Sequence, residues 1–152
     1  MGGMDLRDYQ QDYVANKKVR VSFFVAKDGL QKILRDTGQS AVRIATLPEL
    51  FKSKCLVSAQ RSKTRDWLDL YLLMRDHGFT MADYREAFGE ANAESQMNIG
   101  LSRLCRGVPQ RNDEGYAHLI ERAPPLEDMR QFFVEQRNEF EVRRAARAKR
   151  GS

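Results

Sequence analysis

The chain has 152 residues, of which 41% are hydrophobic and 31% charged, a composition that excludes an intrinsically disordered protein and suits one globular domain. No apolar run approaches the roughly 20 residues that a membrane-spanning helix requires, and the first residues, MGGMDLRDYQQDY, contain no hydrophobic core of a secretion signal. The formal net charge of +5 favours anionic partners, and we predict a cytoplasmic protein with no membrane partner.

The first 46 residues are predicted to form a small β element preceded by a helix. The polar residues 5–16 predict that helix. Residues 19–26 (VRVSFFVA) are rich in β-branched and aromatic side chains and predict a strand, and the alternating residues 41–46 (AVRIAT) predict a second one. Between the strands, residues 27–38 (KDGLQKILRDTG) predict a short helical segment that ends at Gly38.

From residue 47 onward the sequence predicts helices. Thr46, followed by Pro48 in the first turn and by Glu49 three residues on, has the pattern of a capping box for a helix that ends near Gln60. Four more helices are predicted at about residues 63–76, 80–88, 94–106 and from 126 into the tail. The sequence therefore predicts a helix-dominated α+β fold, divided into a β element (1–46), a helical portion (47–142) and a basic tail (143–152).

The predicted helix at residues 63–76 has an unusually broad apolar surface. At 100° per residue, four large side chains share one face and two leucines extend it around the side (Trp67, Leu70, Tyr71 and Met74, with Leu68 and Leu72). Such a helix is buried on most of its circumference. The remaining wedge carries only charged side chains (Arg65, Asp66, Asp69 and Asp76).

Asp66 and Asp69 are three residues apart and are therefore neighbours on this wedge. A buried carboxylate needs a cationic partner, since removing the partner from a buried ion pair lowers the free energy of unfolding by about 3–5 kcal/mol. In a purely structural interpretation, Arg65 pairs with Asp69, and Asp66 pairs with Arg61 or Lys63. In a functional interpretation, the wedge faces a polar cleft and organises a phosphate or metal site.

Lys54 lies on the preceding helix, seven residues and about two turns before Arg61. A lysine on a half-buried helix is usually a surface residue whose ammonium group reaches water. Beside a helix rich in arginine and aspartate it can instead meet a triphosphate as a point charge, while Arg61 or Arg65 supplies a planar guanidinium fork.

Two further features have a local interpretation. Cys55 and Cys105 are far apart and lack CxxC spacing, so we expect free buried thiols. The tail at residues 143–150 (RRAARAKR) indicates either a solvated helix end or a contact with nucleic acid such as RNA, and both interpretations stay open.

The stretch LPELFKSKCLVSAQRSKTRDWLDLYLL, residues 47–73, resembles the second and third motifs of the AbiEii/AbiGii nucleotidyltransferase toxins. In that family a leucine-rich helix carrying a lysine leads into an arginine and then into an Arg-Asp-x-x-Asp-Leu helix. The resemblance is densest over residues 41–75 and extends from 18 to about 90. It places the family's motif residues on five positions of this chain (Lys54, Arg61, Arg65, Asp66 and Asp69).

The resemblance implies a polymerase-β-like nucleotidyltransferase core followed by a helical C-terminal portion. It implies binding of a nucleoside triphosphate with magnesium, with Asp66 and Asp69 as catalytic residues and Lys54, Arg61 and Arg65 as phosphate-binding residues. It also implies an antitoxin protein as a partner.

The family's first motif, a glycine turn followed by Asp-x-Asp on a strand, is missing. Metal-dependent transfer needs such clustered carboxylates, but the aspartates near the start have helical spacing (Asp5, Asp8 and Asp12), and Ser22 stands where related enzymes often place an acidic residue. We therefore expect an incomplete core, from a fragment or a degenerate relative, with little activity on its own. The alternative is a non-catalytic protein-interaction module on the same fold. With either, a homo-oligomer could cover exposed apolar surface.

Overall fold

The computed structural model describes residues 10–15, 19–24, 28–33 and 44–151. Two strands come first, β1 (Gln10–Ala15) and β2 (Val19–Phe24). The helices of this part of the chain are α1 (Asp28–Ile33), α2 (Leu47–Gln60), α3 (Thr64–His77), α4 (Met81–Glu90), α5 (Met97–Arg106) and α6 (Leu126–Arg150), and a short 3₁₀ turn, Glu94–Gln96, leads into α5.

The strands β1 and β2 pair in antiparallel register, with Gln10 opposite Phe24 and Ala15 opposite Val19. β2 occupies most of the strand predicted at residues 19–26. The helix predicted at residues 5–16 is wrong for residues 10–15, which form β1. Pairing with β2, which begins four residues after β1 ends, provides backbone partners for these residues, and this cross-strand pairing overrides weak helical periodicity.

The second predicted strand, residues 41–46, is not found where the structure describes it. Residues 41–43 lie outside the described part of the chain, as do residues 5–9 of the predicted helix, and residues 44–46 have no regular structure. Thr46 is the N-cap of α2, so its extended backbone begins a helix instead of continuing a strand. The strand pair β1–β2 does not by itself show the polymerase-β-like core that the resemblance implies.

The helix starts are set by local side-chain chemistry. At α2, the backbone N–H of Thr46 donates to Glu49 Oε2 at 2.8 Å, and the backbone N–H of Glu49 donates back to Thr46 Oγ1. Thr80 and Asp83 form the same reciprocal arrangement at the start of α4. The capping box predicted at Thr46 is confirmed, because a capping box depends only on residues three apart.

Helix α3 lies at the centre of the hydrophobic core. Five of its apolar side chains are buried and two are partly buried (Trp67, Leu68, Leu70, Leu73 and Met74, with Tyr71 and Leu72). The helix ends where Gly78 adopts a left-handed conformation, φ 75°. The prediction of a helix that is buried on most of its surface is confirmed.

The other helices enclose this core. α2 contacts α3, α4 and α5, and α6 contacts the same three helices α3, α4 and α5. The Phe51 and Phe79 rings stack with their centroids 4.4 Å apart. Cys55 and Cys105 are buried free thiols, as predicted. No helix among the described residues is both long and apolar enough to cross a bilayer.

Candidate functional site

The connection between α2 and α3 brings the predicted motif residues together. Helix α2 ends at Gln60 and α3 begins at Thr64, so only residues 61–63 join them. Arg61 is extended, with φ −148° and ψ 161°, and its backbone N–H donates to Val57 O. This tight connection places the last two turns of α2 beside the first turns of α3.

Asp66 is the buried centre of the resulting cluster, with a side chain that is only 1% exposed. Its Oδ1 accepts hydrogen bonds from Lys54 Nζ at 2.9 Å and from Arg61 Nη2 at 3.1 Å. Its Oδ2 accepts one from Arg61 Nε at 2.7 Å. Two cations, one from α2 and one from the connection, therefore neutralise one buried carboxylate.

Lys54 joins this carboxylate to a second one. Its Nζ lies 2.5 Å from Asp69 Oδ2 as well as 2.9 Å from Asp66 Oδ1. The Lys54 side chain is 22% exposed and that of Asp69 is 41% exposed, so the cluster extends from the protein interior to the surface. Lys54, Arg61, Asp66 and Asp69 are called the junction cluster below.

The pKa values in the cluster show that ion pairing outweighs burial. Burial by itself would raise the pKa of Asp66, but hydrogen bonds from Arg61 and Lys54 lower it. Burial would likewise lower the pKa of Lys54, and its hydrogen bonds to Asp69 and Asp66 raise it instead. Asp66 is therefore ionised and Lys54 charged around neutral pH.

Arg65 is not brought into the junction cluster. Its Nη1 donates to Glu114 Oε2 at 3.1 Å, in the irregular segment between α5 and α6. The expected Arg65–Asp69 pair is therefore wrong, while the expected Asp66–Arg61 pair is present. Residues four apart on a helix, such as Arg65 and Asp69, are close enough to pair. Here the Arg65 guanidinium binds Glu114 instead, a carboxylate that is far from it in sequence.

Two residues that the sequence analysis did not single out support the junction. Asp113 Oδ1 accepts the backbone N–H of Thr64 at 3.1 Å, and its Oδ2 accepts the Thr64 hydroxyl. Gln110 exchanges two hydrogen bonds with Ser62, one through its backbone N–H and one through its side chain. These contacts join residues 48 or 49 positions apart, so no local pattern in the sequence reveals them.

The described residues do not form a complete metal site. They contain no group of three or more His, Cys, Asp or Glu side chains that could hold an ion. Both oxygens of Asp66 already accept hydrogen bonds from cations, which leaves Asp69 as the partly exposed carboxylate of the junction cluster, paired with Lys54 among the described residues. Two cations and two carboxylates leave the junction cluster with no net charge, and the side chains of both cations are partly exposed.

Comparison with known proteins gives one match. A family model described as nucleotidyl transferase AbiEii toxin, type IV toxin–antitoxin system, matches residues 12–149. No curated protein and no solved structure gives a significant match. The matched range covers almost the whole chain and includes every residue of the junction cluster.

Proposed function

The chain belongs to the AbiEii nucleotidyl transferase toxin family of type IV toxin–antitoxin systems, and from this premise we propose that its junction cluster binds the triphosphate of a nucleoside triphosphate that enters with magnesium. The chemistry we propose is nucleotidyl transfer to an acceptor. The observation that supports the site is the buried Asp66 carboxylate, which holds Lys54 and Arg61 side by side.

Lys54 and Arg61 retain hydrogen-bond donors for such a ligand. An ammonium group has three N–H donors, and Lys54 uses two of them on Asp66 and Asp69. A guanidinium group has five, and Arg61 uses two on Asp66. One donor of Lys54 and three of Arg61 therefore stay available on partly exposed side chains, as a point charge beside a planar fork.

We assign different tasks to the two aspartates. Asp66 is a positioning residue, because both of its oxygens are occupied and its lowered pKa makes it a poor base. Asp69 is the candidate catalytic residue, since it is half exposed and pairs with one cation, Lys54, among the described residues, whereas Asp66 pairs with two. Arg65, bound to Glu114, lies at the edge of the proposed phosphate site.

Magnesium in this proposal arrives bound to the nucleotide. Magnesium is usually held by one or two carboxylates together with substrate phosphates. Asp69 can offer one such ligand, and the described residues supply no cluster that would hold the ion without the nucleotide.

Calorimetry tests the binding proposal. We expect ATP, GTP, CTP or UTP with magnesium to bind, and Lys54→Met to weaken the affinity about tenfold or more, because a charge-assisted hydrogen bond to phosphate is worth about 1.5–3 kcal/mol. Lys52→Met is the matched control on the same helix, since Lys52 pairs with Glu90 and takes no part in the cluster. Absence of binding for all four nucleotides, or equal losses in the two variants, would contradict the proposal.

Activity by this chain alone is expected to be low. The sequence lacks the Asp-x-Asp motif on which the family's metal chemistry depends. Incubation with labelled nucleotide, magnesium and cellular RNA or protein measures transfer directly. Efficient incorporation would contradict this expectation, and its loss in Asp69→Asn would then identify the catalytic carboxylate.

The second candidate function is a non-catalytic interaction module, which the missing Asp-x-Asp motif favours. For such a module we expect that added nucleotide has no effect on the protein. We also expect that a pull-down with this chain retains a protein partner. The toxin–antitoxin setting of the family supports an antitoxin as that partner. Sedimentation of the purified chain tests for a homo-oligomer.

RNA contact through the tail at residues 143–150 remains a separate proposal, supported by the exposed basic side chains there. Phosphate contacts make such binding weaken steeply with salt. The idea fails if removal of the tail leaves RNA affinity unchanged.

A further inference from the structure

A second surface feature, remote from the junction cluster in sequence, lies between the start of α4 and the distal half of α6. It is a groove of about 290 Å³. Met81, Ala82 and Phe140 line it with apolar atoms, and both Met81 and Phe140 also pack against the hydrophobic core. The floor is therefore rigid and apolar.

The rim of this groove is strongly basic. Four arginines line it, one on α4 and three on α6 (Arg85, Arg143, Arg144 and Arg147), and Glu139 is the single carboxylate among the lining residues. Four positive charges and one negative charge give a net charge of +3. On α6, positions 140, 143, 144 and 147 recur at helical spacing, so one face of the helix presents both Phe140 and the arginines.

Two of these cations have no partner within the described part of the chain. Arg143 pairs with Glu139, and Arg144 lies 3.7 Å from Glu141. Neither Arg85 nor Arg147 forms an ion pair with a described residue. Unpaired guanidinium groups beside an apolar floor fit a ligand that is both acidic and apolar.

We propose that this groove docks an acidic amphipathic peptide segment of a protein partner, with apolar side chains against Met81 and Phe140 and carboxylates against the arginines. An amphipathic helix placed in an apolar groove is a common mode of peptide recognition. The volume is near the lower limit of ligand pockets, roughly 300 Å³.

The composition of the groove favours a peptide over nucleic acid. Proteins that bind single-stranded nucleic acids commonly combine a basic groove with aromatic rings on which bases stack. Phe140 is the one aromatic residue that lines the groove, and it is half buried against the core. Glu139 also lies among the arginines, where it pairs with Arg143 and reduces the positive charge that the rim offers to a polyanion.

The proposal is independent of the nucleotide site and is tested with the full chain. The probe is a fluorescein-labelled helical peptide of about 15 residues, roughly four turns, with leucines on one face and glutamates on the other. Its binding is followed by fluorescence anisotropy. Control peptides replace the glutamates by lysine, or the leucines by serine, and a single-stranded RNA of equal charge is a further probe.

We expect the acidic peptide to bind and both control peptides to bind far more weakly. Reversing two rim charges, Arg143→Glu with Arg147→Glu, should reduce the affinity for the acidic peptide about tenfold, because two exposed ion pairs with the peptide are lost. Lys149→Glu, which reverses one charge on another face of the same helix, is the control, and a general effect of net charge would give it about half of the free-energy loss of the double reversal. Lys54→Met should leave peptide binding unchanged, which separates this proposal from the nucleotide site.

Three results would overturn the assignment of the groove. The first is that the acidic peptide does not bind. The second is that RNA binds and the peptide does not, which would show that the arginines serve a polyanion. The third is that Lys149→Glu causes half or more of the free-energy loss of the paired reversal, since the attraction would then be a general effect of net charge.

Discussion

Asp66 illustrates how one buried carboxylate can hold two cationic side chains next to each other. Its side chain is 1% exposed, and its charge is balanced by Lys54 and Arg61. Both cations reach the surface while their carboxylate does not. The two cations are therefore held in place before any ligand binds. This ordering lowers the entropic cost of binding an anion.

Replacement of Asp66 tests this role through stability. We expect Asp66→Asn to lower the free energy of unfolding by about 2–3 kcal/mol, somewhat less than for a fully buried pair, because the stranded cations can still reach water. Asp69→Asn should cost less than about 1 kcal/mol, since Asp69 is half exposed. Urea denaturation measures both variants, and equal losses would contradict a central role for Asp66.

The pH dependence of stability follows from the shifted pKa values. The pKa of Asp66 is lowered from 3.8, so its contribution is present above that value and is lost as the pH falls through the folded pKa. The pKa of Lys54 is raised from 10.5, so its contribution is lost only as the pH rises through the higher folded value. The stability difference between the wild type and Asp66→Asn should thus be constant near neutral pH and shrink below about pH 4.

Gly100 is a residue whose small size is required by packing. A β-carbon built at Gly100 would overlap the Tyr84 hydroxyl and lie 2.6 Å from Ser58 Oγ. Tyr84 and Ser58 are buried and hydrogen-bonded to each other at 2.7 Å. Because the Ser58 hydroxyl donates to Cys55 O, Tyr84 is the donor in this pair.

We expect Gly100→Ala to destabilise the protein by about 1–3 kcal/mol, the usual cost of overpacking a core. Tyr84→Phe removes the overlapping hydroxyl, so Gly100→Ala should cost less in that background. Gly89→Ala is the matched control in a helix, since its nearest atom would be 4.0 Å away, and it should be neutral or stabilising. Thermal denaturation of the four variants and the wild type measures the coupling, and additive losses would contradict the packing argument.

At the scale of elements, α3 begins with the help of a distant segment. Its N-cap residue, Lys63, makes no side-chain capping hydrogen bond. Asp113, in the segment between α5 and α6, accepts the N–H of Thr64 instead. This segment therefore fixes the start of the helix that carries Asp66 and Asp69.

Asp113→Ala should lower the free energy of unfolding by about 1 kcal/mol, as for the loss of an N-cap side chain. It should also weaken nucleotide binding if the start of α3 orients the junction cluster. Glu114→Ala, at the neighbouring position, removes only an exposed pair with Arg65 and should change stability by less than about 0.5 kcal/mol. A larger loss for Glu114→Ala than for Asp113→Ala would contradict this account of α3.

At the scale of the whole molecule, α6 has two different halves. Its first half packs into the core through Met129 and Phe133, which are 1% and 0% exposed. Residues 141–150 are all exposed, although the helix continues to Arg150. The predicted basic tail is thus a continuation of a core helix, and the groove forms where the two halves meet.

Removal of residues 143–152 should therefore leave the free energy of unfolding within about 0.5 kcal/mol of its wild-type value, the usual range for surface changes. Phe133→Ala should cost about 3–5 kcal/mol, because it removes a fully buried ring. Chemical denaturation distinguishes the two, and a large loss on truncation would show that the distal half carries core contacts.

Much of the fold and part of the site follow from local patterns. The capping boxes at Thr46 and Thr80 and the Gly78 end of α3 depend on residues within one helical turn. The apolar periodicity of α3 is local in the same way, and the spacing of the motif residues was enough to indicate the family. Local chemistry of this kind is written into consecutive residues and needs no knowledge of the partners across the core.

Only the tertiary structure decided which charged groups meet. The choice of Glu114 by Arg65, the capping of α3 by Asp113 and the groove between α4 and α6 all join segments that are separate in sequence. The sequence contains several carboxylates that could pair with each arginine, and composition alone does not distinguish among them. The choice among them depends on which side chains the packed helices bring within hydrogen-bonding distance, and a sequence pattern contains no such distances.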